Sequence, residues 1–201
     1  MTPRAARLVP VFLACLVASA AATLGNPVGL TVPDAHASVS VPLAFHTLAR
    51  SADRVLVGTV GESISLWEDD AEGSRRIVTY HRVRVDRQAS DGVPGDVWVR
   101  CLGGTVDGVG QRVEGEAALR TGLRALLFLT SRSDGTFSVL GLAQGMYPIK
   151  RSDDGVERLG APRSPGIVLQ PQPDAAMFVL PGKTVDEAIT MVREARRPRA
   201  N

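Results

Sequence analysis

Between Arg76 and Arg87 apolar and polar residues alternate with a period of two, Ile77, Thr79, His81, Val83 and Val85 on one parity and Val78, Tyr80, Arg82, Arg84 and Asp86 on the other. That pattern predicts a strand with one face in a core and the other in water. The preceding segment, Arg54 to Trp67, opens with a continuous apolar run and then alternates, with Gly58 and Gly61 where a strongly bent strand needs small residues. The two form a hairpin whose tip, Glu68 to Gly73, is charged. Asp96 to Leu102 returns as a strand with Val97, Val99 and Cys101 on one face. Leu123 to Thr130 is apolar on both faces, which predicts a central strand. The turn Ser133-Asp134-Gly135 joins it to a partner over Thr136 to Leu142, and Met146–Arg151 and Val156–Leu159 flank a further Asp-Gly turn. Residues 103–116 hold five glycines and read as a loop or an irregular hairpin.

Two helices flank these strands. Leu43, Phe45, Leu48 and Ala49 stand at near-helical spacing, and Thr184-Val185-Asp186-Glu187 is a capping box ahead of Ala188, Ile189 and Val192. The fold expected is mainly β: a small, highly curved antiparallel β-barrel with a short N-terminal helix and a C-terminal helix.

The first residues change where this domain begins. Arg4 and Arg7 precede an uncharged apolar run from Leu8 to about Leu24, the n-region and h-region of a signal peptide. Of two small-residue cleavage signals, Ala18-Ser19-Ala20 and Ala35-His36-Ala37, the second follows the helix-breaking Pro33-Asp34, and cleavage is expected after Ala37. The alternatives are a retained membrane anchor and lipidation at Cys15, where Phe12-Leu13-Ala14-Cys15 loosely follows a lipobox. The organisation expected is a signal peptide over 1–37, a barrel with its N-terminal helix over 38–160, a proline-rich arm over 161–183 and a helix over 184–197. The protein is then exported, to a periplasm or the extracellular space.

Cleavage removes Arg4, Arg7 and Asp34 and leaves a nearly neutral chain, so nothing calls for a nucleic-acid partner. It also removes Cys15. Cys101 is then the remaining cysteine and reads as a small buried hydrophobe, so no internal disulfide forms.

The run Ala52-Asp53-Arg54-Val55-Leu56-Val57-Gly58-Thr59-Val60, the strand Val83-Arg84-Val85-Asp86-Arg87, the segment Gly122 to Leu129 and Gly145-Met146-Tyr147 together form a pattern. Over residues 48–150 it resembles netrin-module (NTR-like) domains, the OB-type barrels also found in tissue inhibitors of metalloproteinases, and exported bacterial proteins of similar outline. The resemblance implies an OB-type barrel. The inhibitors place a disulfide-bonded cysteine at the mature N-terminus to ligate a protease zinc, whereas the start here is Ser38-Val39-Ser40. That mechanism is not carried over, and fold alone assigns no function.

Candidate chemistry is sparse. His46 and His81 are the histidines after the cleavage point, neither near a nucleophile motif, and no Cys/His spacing suits zinc. His81, on the inward parity, reads as a hydrogen-bonded core histidine. The acidic tip Glu68, Asp69, Asp70 and Glu72 lacks the alternating layout of a calcium loop and reads as a solvated turn. No Gly-Lys-Ser/Thr follows the glycine-rich stretch. No catalytic set, metal site or cofactor is therefore expected.

One surface stands out. Tyr80, Arg82 and Arg84 on one strand and Trp98 and Arg100 on the next share the outward parity. They form either an exposed aromatic and basic stripe that binds a ligand, or an ordinary outer face partly covered by the C-terminal helix with Trp98 beneath it. The expected function is a non-enzymatic binding or interaction module, its partner an exported protein such as a protease or an anionic cell-surface polymer. The alternatives are an exported hydrolase of unusual type working through carboxylates such as Asp53 and Glu114, and a structural envelope component.

Overall fold

The computed structural model describes residues 38–69, 73–90, 92, 95–162, 167–169 and 172–198. All of them fall within one compact unit, His36–Asn201. The cleavage position after Ala37, Cys15, Asp70 and Glu72 lie outside the described residues.

In chain order the elements are β1 (Ser38–Ser40), α1 (Phe45–Ser51), β2 (Arg54–Asp69), β3 (Arg75–Gln88), β4 (Val97–Leu102), β5 (Gly104–Val106), β6 (Val109–Gln111), β7 (Arg124–Ser131), β8 (Phe137–Val139), β9 (Met146–Arg151), β10 (Glu157–Leu159), β11 (Ile167–Leu169), α2 (Ala176–Val179) and α3 (Val185–Arg196). The protein is mainly β. The principal sheet runs β10-β9-β7-β2-β3-β4-β8, and β8 also pairs with β7. Strands β7, β2, β3, β4 and β8 therefore complete a circuit of pairings. Every pairing in that circuit is antiparallel except the closing one, where β8 runs parallel to β4 at Val99 and Phe137.

Curvature comes from β2, a strand of 16 residues. Its register with β3 slips between Val57 and Gly58 and again between Val60 and Ser63, and each slip bends the strand. Glycine is required at the first: a Cβ on Gly58 would stand 2.6 Å from Val83 Cγ1 and 2.7 Å from the Arg84 carbonyl oxygen. The glycine-rich stretch is a hairpin, β5–β6, turned by Asp107 and Gly108, both at positive φ. Two positive φ values at the centre of a two-residue turn match the strand twist.

Apolar residues on both faces of β7 have separate destinations. Ala125, Leu127 and Leu129 join Leu56, Val60, Val83, Val99, Cys101 and Val139 inside the curve of the sheet. Leu126 and Phe128 point the other way and pack with Val55, Val57 and Tyr147 against α1, α2 and α3. The helix α3 follows its predicted capping box, with Glu187 N–H donating to Thr184 Oγ1 at 3.2 Å and Thr184 N–H to Glu187 Oε2 at 2.7 Å. Val185, Ala188, Ile189, Val192 and Ala195 are its buried face. Arg196 donates to the carbonyls of Ala49 and Ala52, each at 2.7 Å, and so satisfies main-chain oxygens at the end of α1.

One alternative for the outer face needs correction. The C-terminal helix covers the β2–β7–β9 surface and not the surface of β3 and β4 that carries Tyr80 and Trp98. The second half of the proline-rich arm is core: Ala175, Ala176 and Leu180 are fully buried. Among the described residues no helix is long and apolar enough to cross a membrane.

Candidate functional site

The helices leave the outer face of the far half of β2, with β3 and β4, outside the apolar cluster they cover. The register sets Ile64 beside Tyr80, Leu66 beside Val78 and Glu68 beside Arg76, and on the other side Tyr80 beside Arg100 and Arg82 beside Trp98. Because side chains alternate along a strand, Ile64, Leu66, Glu68, Tyr80, Arg82, Trp98 and Arg100 share one face. Their neighbours His81, Val83, Val99 and Cys101 are buried inside. Arg84 sits farther along β3, opposite Thr59 of β2.

The stripe expected from the sequence is thus assembled, but its charges are already satisfied. Arg100 is 7% exposed and makes a two-pronged contact with Glu68 Oε2, from Nε at 3.0 Å and Nη2 at 2.6 Å. The Tyr80 hydroxyl donates to Glu68 Oε1 at 2.5 Å. The hydrogen bonds from Arg100 hold the Glu68 carboxyl below its ordinary range, while burial, reinforced by the bond to Glu68, raises the Tyr80 hydroxyl. Arg100 is therefore not an exposed cation awaiting a ligand. Its counterion comes from a hairpin tip that reads as solvated in the sequence. Arg82 remains exposed but lies 3.1 Å from Glu62 and 3.0 Å from Asp96. Arg84 is 72% exposed, with Asp86 at 3.6 Å.

No protein-family model, curated protein or solved structure matches this chain.

What the face offers is apolar area among internally neutralised charges. Ile64 is 52% and Leu66 36% exposed, beside the half-buried rings of Tyr80 and Trp98. Neither aliphatic residue stands out in the sequence, where Ser63-Ile64-Ser65-Leu66 reads as ordinary alternation. Ile64 and Leu66 follow the register slip after Val60, which settles the face they take.

The inner side of the same hairpin is polar and closed. His81 Nδ1 lies 2.7 Å from Ser63 Oγ, and burial lowers the imidazole to about 4, so it is neutral at pH 7. No carboxylate hydrogen-bonds the ring among the described residues, so the pair lacks the third group of a nucleophilic relay. Thr79 Oγ1 donates to the Gly103 carbonyl at 2.7 Å and meets Ser65 Oγ at 2.9 Å.

Asp53 and Glu114 are engaged apart from one another. Asp53 accepts from Ser131 N–H at 2.7 Å and Thr130 Oγ1 at 3.1 Å, and the Ser131 bond holds its carboxyl below the ordinary range. Glu114 lies 3.6 Å from Arg112. Burial raises the Cys101 thiol and keeps it unreactive.

Proposed function

We propose that the protein is an exported, non-enzymatic interaction module, periplasmic or extracellular, that engages another exported protein through the outer face of β2, β3 and β4. The observation that carries this reading is a sheet face that the helices do not cover, with exposed Ile64 and Leu66 beside Tyr80 and Trp98, its charges paired among themselves. Apolar and aromatic side chains on a rigid, internally neutralised surface suit a protein partner, whose contacts concentrate in such residues. An anionic polymer would require unpaired cations along the face, and Arg84 alone of the three arginines is loosely held. A protease of the same compartment is one partner class. The five-strand circuit supports the resemblance to OB-type netrin modules, and the charged start followed by an apolar run supports export.

The test is affinity capture from the exported fraction of the producing cell, with wild-type protein and an Ile64→Lys/Leu66→Lys variant side by side. A protein retained by the first and lost from the second supports the reading. Equal recovery on both overturns it, as does turnover of a model ester or peptide that Asp53→Asn abolishes.

A further inference from the structure

The β2–β3 hairpin continues past the rest of the sheet, and this leaves one edge of β2 open. β7 pairs with β2 only from Arg54 to Thr59. Val60 then donates to the Leu123 carbonyl and accepts from Gly122 N–H, both at 2.8 Å, and the Gly61 carbonyl accepts from Thr121 Oγ1. From Glu62 to Asp69, among the described residues, β3 is the only strand that pairs with β2.

The main-chain groups on that edge can be assigned. The Ile77 carbonyl accepts from Gly103 N–H at 2.8 Å and Ile77 N–H donates to Gln111 Oε1 at 2.6 Å, so Ile77 turns both groups away from β2. Antiparallel ladders alternate, so Thr79 and His81 do the same. Their partners on β2, Trp67, Ser65 and Ser63, therefore aim N–H and C=O at the open edge. The segment contains no proline and no lysine, the usual protections of an exposed edge.

Resting on the interaction-module reading above, we propose that this edge binds an extended segment of the partner protein as an added strand, apolar at alternate positions and carrying Lys or Arg where it passes the hairpin tip. Main-chain bonds to Ser63, Ser65 and Trp67 supply the attachment, and Ile64 and Leu66 supply side-chain contacts on the outer face. The charge requirement follows from the tip: with Glu68 held by Arg100, the sequence there carries Asp69, Asp70 and Glu72 against Arg75 and Arg76. The same charges disfavour a second copy of this chain as the occupant. Two-fold pairing about Ser65 would set Glu62 against Glu68, and like charges directly opposite are destabilising.

The probe is the synthetic peptide acetyl-KRTVTVT-amide, titrated into the full-length protein and followed by amide NMR. Saturable shifts at Ser63, Ser65 and Trp67, with slowed exchange of those amides, are expected. Replacing the two basic residues with glutamate weakens binding by about tenfold, and N-methylation at alternate residues abolishes it. Ser65→Pro removes an outward N–H while sparing the ladder to β3 and weakens binding by about tenfold. Should that variant fail to fold, the N-methylated peptide on the wild-type protein carries the test alone. Equal binding of plain and N-methylated peptides, or no saturable binding at millimolar peptide, overturns strand addition. A dimer seen by sedimentation that Ser65→Pro dissolves also overturns it, in favour of a second copy. A captured partner lost from Ile64→Lys/Leu66→Lys but kept by Ser65→Pro overturns strand addition while leaving the proposed function standing.

Discussion

Changing Glu68 to Gln removes one charge from the outer face and leaves Arg100 nearly fully buried without its counterion. The pair is held by contacts of 3.0 Å and 2.6 Å, and its two side chains are 7% and 25% exposed. Orphaning a fully buried charge costs about 3–5 kcal/mol. Water reaches Glu68 from one side, and a glutamine oxygen can still accept one bond, so the expected loss is about 2 kcal/mol. In a domain of this size that corresponds to a Tm lower by about 4–8 °C. Removing both charges with Glu68→Leu/Arg100→Met recovers most of the loss, because no desolvated charge remains. The effect also depends on pH. The Glu68 carboxyl lies below its ordinary 4.5 in the folded protein, so its contribution is present above that pH and is lost as pH falls through the folded value. Urea denaturation at pH 7 and again below pH 4 measures both. A Glu68→Gln variant within about 0.5 kcal/mol of wild type at pH 7 refutes the reasoning, as does a double variant no more stable than the single one.

Three further outcomes follow from the same geometry. Gly104→Ala destabilises by at least about 2 kcal/mol in a denaturation series, because φ is +138° and the added Cβ would stand 2.3 Å from Thr79 Oγ1 and 2.8 Å from Ser65 Oγ. Thr184→Ala costs about 1 kcal/mol through loss of the capping box at α3, and Thr184→Ser restores it in the same assay. The His81 imidazole, lowered by burial to about 4, takes up its proton more readily in the unfolded chain, so stability declines as pH falls from 6.5 towards 4. An NMR titration in which its ring signals move near 6.5 contradicts that placement.

Several of these features are legible in the residues themselves. The period-two pattern of Arg76–Arg87, the glycines of β2 and the capping box at Thr184 each state a local rule that the fold obeys. What the pattern cannot convey is partnership over distance. Arg100 stands on an outward parity yet is buried, because Glu68 reaches it from 32 positions away and parity specifies a face, not its exposure. The position of α3 on the β2–β7–β9 surface depends on which side of β7 the inside of the curved sheet takes, and a strand apolar on both faces gives no sign of that. α2 is hidden in a proline-rich stretch because its four residues are too few to show a helical period. The parallel closure of β8 onto β4 rests on one paired position, Val99 with Phe137, which no sequence pattern announces.

The interaction proposed for the β2–β3–β4 face is contact with a protein partner. Its most direct test is a photo-cross-linking amino acid placed at position 64 in the producing cell, with position 190 on the exposed side of α3 as the control site. A discrete cross-linked protein is expected at position 64 and is absent at position 190. Identical products at both positions, or none at position 64, would contradict it.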